Sequence, residues 1–205
     1  MPLTLRVWRF TDGRAGHEKQ SSGLVQGLRE SLPETAGAGS SIECRDIPVA
    51  EFLRDPSQLW QDSGAAPDLL IGAGRRPHLP MARVRWHLGS RTVCLMRPTL
   101  PRFCYDLALV PEHDWLWSER KVLRTLGALG PSIPGAPSAE CGLILLGGEN
   151  DHFYWSDEEV CASVAAIVAQ NPRVHWQISD SPRSSKNLIS TLDLALRGTD
   201  NAETV

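Results

Sequence analysis

Three times along this chain an apolar run ends in a glycine-rich turn, and each time a stretch patterned as a helix follows. Leu3 to Phe10 alternates apolar and polar residues as a strand does. Asp12-Gly13-Arg14-Ala15-Gly16-His17 then turns, and Leu24, Val25, Leu28 and Leu32 recur at helical spacing. Asp68 to Gly74 is a continuous apolar run ending in Gly72-Ala73-Gly74, with Pro77 to Leu88 as its helix. Leu143 to Leu146 ends in Gly147-Gly148, followed by Ser156 to Gln170. A strand that returns through a helix to a parallel neighbour makes a sheet covered by helices, so the pattern predicts an α/β fold of Rossmann-like units.

In such units the turn after a strand is where a ligand is met. Gly13 and Gly16 let the backbone turn and approach a bound group, and unpaired N–H groups at the helix start favour a negative or polar one. The spacing excludes two common nucleotide sites. Only Arg14 and Ala15 separate Gly13 from Gly16 and His17 follows, so there is no P-loop, and Gly-x-Gly-x-x-Gly is absent. Two readings stay open for the polar residues: His17 deprotonates an acceptor hydroxyl, or His17 and Glu18 begin the helix with Asp12 as its cap. In the third turn Asn150 suits a polyhydroxy ligand better than Glu149, whose carboxylate repels phosphate. Arg183 and Ser184 either contact a phosphate or form a plain turn.

Composition bounds the setting. The 205 residues are 41% hydrophobic, with net charge −3. No run approaches the roughly 18 apolar residues of a membrane span, and the first residues do not read as a signal peptide, so a cytoplasmic chain is expected. Five cysteines without a Cys-x-x-Cys pair point to reduced thiols, and the histidines form no ligand set, so neither a metal nor a resident cofactor is expected. Pro33 to Ser41 reads as a loop and Ile42 to Ile47 as a strand. Thr92 to Met96 and Leu107 to Val110 are two further strands. Gly130 to Ser138 is rich in Pro, Gly and Ser. The expected division is therefore a first domain over 1–130, a linker over 131–139 and a partial second domain over 140–205. Past Val174 to Ile178 the chain reads as polar. A Rossmann-like half needs on the order of 100 residues, so the second is expected to be incomplete and to expose a sheet edge or an apolar face. Trp86, Trp115, Trp117, Trp155 and Trp176 read as core or domain-interface residues.

Two such units joined by a Pro/Gly linker resemble the GT-B architecture of sugar-nucleotide-dependent glycosyltransferases. The closer resemblance is to the mitochondrial fission ELM family. It runs over Asp12 to Gly23, Gly72 to Pro77, Leu107 to Asp114, Leu126 to Leu129, Gly147 to Asn150 and Ser179 to Ser184. It implies transfer of a sugar from a nucleotide sugar, as co-substrate, to a lipid-linked or glycan acceptor of the cell envelope. His17 would be the base. Asp12, Gly13, Arg14, Gly16, Gly72, Gly74 and Arg75 would meet the acceptor, and Gly147, Gly148, Asn150, Arg183 and Ser184 the donor. The plant branch's role in organelle division implies the alternative of a non-catalytic scaffold retaining the fold.

Charge placement adds a further expectation. Arg75, Arg76, Arg83, Arg85, Arg91, Arg97 and Arg102 lie between Asp68 and Asp106 with no acidic residue among them. That stretch either binds an anionic membrane at its inner face or is a solvated basic face paired to acids elsewhere. No nucleic-acid motif accompanies it.

Overall fold

The computed structural model describes all residues except 1, 58–64, 115–119, 133–134, 136–137 and 150–153. The chain divides into two compact units, Met1–Ile133 and Pro134–Val205. Trp60, Gly64, Trp115, Trp117 and Asn150 lie outside the described residues, and with them the Asn150 donor contact.

In the first unit the apolar runs become strands β1 (Thr4–Thr11), β2 (Ser41–Pro48), β3 (Leu69–Ala73), β4 (Arg91–Leu95), β5 (Leu107–Pro111) and β6 (Val122–Thr125). They form one sheet in the order β2-β1-β3-β4-β5-β6, and every pairing is parallel. The helices are α1 (Ala15–Ala36), α2 (Val49–Arg54) and α3 (His78–Leu88). Alternation along the strands splits the core in two, because successive side chains point to opposite faces. Val7, Ile71, Ala73, Leu95 and Leu109 pack with Val25 of α1. Trp8, Phe10, Leu70, Cys94, Ala108 and Val110 pack with Phe52 of α2 and with Met81 and Val84 of α3.

Two sequence expectations need correction here. Helix α1 runs through Pro33 to Ala36 instead of stopping before it, since a proline near the end of a helix forfeits one backbone bond while Glu34 to Ala36 continue the turn. Strand β6 was not expected, because an edge strand with two exposed residues shows no apolar run.

The second unit has β7 (Cys141–Leu145), β8 (His175–Ser179) and β9 (Ala202–Thr204), parallel in that order, with α4 (Asp157–Gln170) and α5 (Leu188–Ala195). Ser156 caps α4 by accepting the Glu159 N–H at 3.3 Å, one of the two bonds of a capping box. The polar reading beyond Ile178 is corrected by α5 and β9, since Leu188 and Leu192 are fully buried against Val168 and Ile178. Both crossovers run in one direction, so both helices cover one face. On the other, Leu143 and Leu145 are 61% and 72% exposed, next to the polar Gln177 and Glu203 of β8 and β9. No helix of the described residues is long and apolar enough to cross a membrane.

Candidate functional site

Strand order reverses between β1 and β3, and in open parallel sheets the crevice beyond the strand ends at such a point is where ligands bind. The loops after β1 and β3 meet there. Asp12 follows β1 directly, with its side chain only 1% exposed. Its Oδ2 lies 2.9 Å from His17 Nδ1, and its Oδ1 accepts the Arg14 N–H at 3.2 Å. The carboxylate can only accept, so the imidazole carries its proton on Nδ1 and leaves the Nε2 lone pair to act as a base. Asp12 is therefore not the helix cap. Arg14 holds that position without a side-chain bond, while Glu18 reaches back to accept the Gly13 N–H at 3.1 Å.

The glycines of these loops serve different ends. Gly13 has φ +79, and both it and Gly16 have open space where a side chain would stand, so a ligand can come close to the backbone. Gly74, at φ +76, has the His17 ring where its Cβ would lie, with Nδ1 at 2.5 Å, so its lack of a side chain seats the imidazole. Gly72 is closed to any ligand by Met81 Sδ and Pro77 Cβ, at 2.5 and 2.6 Å from that position, and its glycine lets α3 pack on β3. Arg14 and Arg75 are exposed.

Beside Asp12 and Gly13 lies a pocket of about 540 Å³, walled by Val49, Ala50 and Leu53 and edged by Glu18 and Arg76. Sequence reasoning missed these edge residues and the Asp12–His17 pairing. The available signal was an Asp and a His five residues apart across a strand-to-helix turn.

Two of the seven arginines between Asp68 and Asp106 meet the acid that closes the stretch. Arg85 donates to Asp106, and Arg91 does so at 3.3 Å. Burial pushes the Asp106 carboxyl up, but the Thr92 N–H and both guanidiniums outweigh it and hold it below its usual range.

In the second unit the turn after β7 is filled by the protein itself. Ser184 Oγ donates to the Gly147 carbonyl at 2.5 Å, and the space of a Gly148 side chain is taken by the Arg183 carbonyl and by Ser184 N at 2.7 Å. Gly147, Gly148, Arg183 and Ser184 are thus brought together, as contacts between two loops. Next to them a pocket of about 330 Å³ is lined by Glu149, Tyr154, Trp155, Asp157, Glu158 and Arg183, three carboxylates against one guanidinium. Gly148→Ala is expected to cost about 1–3 kcal/mol, because the clash is with backbone. Urea unfolding of that variant checks this, and an unchanged midpoint would show that the loops part freely. Among the described residues no group of His, Cys, Asp or Glu is placed to hold a metal ion.

Solved structures resemble the chain in fold at low identity. A Listeria monocytogenes protein assigned as a UDP-N-acetylglucosamine 2-epimerase superposes with a TM-score of 0.59 at 9% identity, covering 98% of this chain and 68% of that one. The Escherichia coli heptosyltransferase WaaC with ADP gives 0.49 at 12% identity, covering 98% and 75%. A Neisseria meningitidis UDP-GlcNAc 2-epimerase bound to UDP-GlcNAc gives 0.46 at 8%, covering 99% and 72%. The fold is GT-B-like. No curated protein matches the chain in sequence. The family model described as mitochondrial fission ELM1 matches residues 15–205, and the chain therefore belongs to the mitochondrial fission ELM1 family.

Proposed function

We propose that this protein transfers a sugar from a nucleotide sugar to a lipid-linked or glycan acceptor of the cell envelope, working in the cytoplasm at the inner face of the membrane. The observation that carries the reading is the Asp12–His17 pair at the strand-order reversal, beside a pocket open to the Gly13 backbone. In this mechanism the acceptor hydroxyl enters along Gly13 and Gly16, with Arg14 and Arg75 at its polar rim. Nε2 of His17 takes the hydroxyl proton as the oxygen attacks the anomeric carbon. The nucleoside diphosphate leaves with the electrons of the broken bond, and Asp12 stabilises the imidazolium that forms. Gly147, Gly148, Arg183 and Ser184 of the second unit, with Asn150, are the donor contacts in this reading.

A second reading, a non-catalytic scaffold that keeps the fold, is favoured by one observation. The turn after β7 is closed by Arg183 and edged by carboxylates, which suits a diphosphate poorly. A thermal-shift screen of nucleotide sugars separates the two. A bound donor at 100 times its dissociation constant is expected to stabilise the chain by about 2.7 kcal/mol. No shift with any nucleotide sugar leaves the scaffold.

A further inference from the structure

Helix α3 presents an unusual outer face for a protein of net charge −3. Leu79, Arg83 and Trp86 stand at i, i+4 and i+7, which places them on one side of the helix. Leu79 is 48% and Trp86 63% exposed. Trp86 is thus not a core residue, which removes one of the two roles that the sequence left open to it. The segment after β4 lies alongside. Thr99 Oγ1 is 2.9 Å from His78 Nδ1, Asp106 holds Arg85, Cys104 is buried, and Tyr105 shares a core with Met81 and Val84. This segment adds Phe103, 64% exposed, and the exposed Arg102. The loop before α3 adds exposed Arg75 and Arg76, the latter also edging the pocket beside Asp12. Asp106, the acid that closes this stretch, is already engaged by Arg85, Arg91 and the Thr92 N–H. Among the described residues no ion pair neutralises Arg75, Arg76, Arg83 or Arg102.

Exposed aromatic and aliphatic side chains interleaved with unneutralised arginines match the boundary of a lipid layer: rings settle at headgroup depth while guanidiniums meet phosphates. We propose that the outer face of α3, with Arg102 and Phe103, docks this protein on an anionic phospholipid surface. The inference deepens the proposed function and rests on it for its purpose, since the membrane would present a lipid-linked acceptor beside Arg76 and the Asp12 pocket. A nucleic acid is the competing polyanion. It has no use for Leu79, and nothing on this face is arranged to stack successive bases.

The test is co-sedimentation of the whole chain, without nucleotide sugar, with vesicles of phosphatidylcholine alone and of phosphatidylcholine mixed with phosphatidylglycerol. Binding is expected only with phosphatidylglycerol, and is expected to be lost in high salt. Arg83→Gln with Arg102→Gln is expected to lower the partition coefficient on the order of 30-fold, about five-fold per arginine. Trp86→Ala is expected to weaken it while keeping the salt dependence. Circular dichroism and size exclusion establish that each variant is folded. Equal binding to both vesicles, no binding, or binding indifferent to the double variant overturns the proposal, and so does tighter retention by single-stranded DNA than by the vesicles. A chain that binds vesicles but gives no thermal shift with nucleotide sugars refutes the transferase reading and leaves the docking surface standing.

Discussion

His17→Ala is expected to slow sugar transfer roughly 100- to 10,000-fold while leaving the fold and the nucleotide-sugar thermal shift in place. The expectation follows from geometry. With Nδ1 committed to Asp12 at 2.9 Å, Nε2 is the one ring nitrogen left to take a proton, and the ring sits 17% exposed, within reach of a ligand. Asp12→Asn sharpens the test. An amide can donate to Nδ1 and trap the other tautomer, with the proton on Nε2, so the base is lost while shape is kept. Most of the loss in His17→Ala is therefore expected in Asp12→Asn as well, and in kcat more than in KM, because acceptor contacts along Gly13 and Gly16 are untouched. Wild-type turnover in either variant would remove His17 from the chemistry. A loss confined to KM would make it a binding residue.

The first sheet was legible because parallel strands buried on both faces read as short apolar runs, and Leu69 to Ala73 or Leu107 to Val110 admit no other role. What escaped were elements whose burial is one-sided. Strand β6 has Leu123 57% exposed, and α5 buries only Leu188 and Leu192 in a helix of eight residues set between polar stretches. Their spacing of four was a usable helical signal. The site was legible as a place more than as a mechanism. A Gly-rich turn can mean close ligand approach or close packing, and sequence does not separate the two. Gly13 and Gly16 are open, Gly74 seats an imidazole, and Gly72 and Gly148 are filled by neighbouring protein. The arginine stretch divides for a similar reason: Asp106 is distant from Arg85 in sequence but bonded to it across α3 and β5.

Acidification is expected to weaken the first unit through His78, a residue outside the proposed chemistry. Its side chain opens α3 and is 3% exposed. Nδ1 accepts from the Thr99 N–H at 3.3 Å, so the ring proton resides on Nε2, which is buried and has no partner among the described residues. Burial pushes the imidazole down to about 4 from its ordinary 6.5, because a charge there would lose its water. Below pH 6.5 the unfolded chain binds a proton at this position and the folded chain does not. Stability is therefore full above 6.5 and falls as pH drops toward 4. At about 1.36 kcal/mol per pH unit the loss reaches about 3 kcal/mol, a large share of the roughly 5–15 kcal/mol of a typical domain. His78→Gln keeps an acceptor for Thr99 and cannot take the proton. Urea unfolding at about pH 7 and about pH 4.5 is expected to show a smaller loss in the variant than in the wild type, whatever the variant's stability at neutral pH. Parallel losses in the two proteins would place the acid sensitivity in other groups.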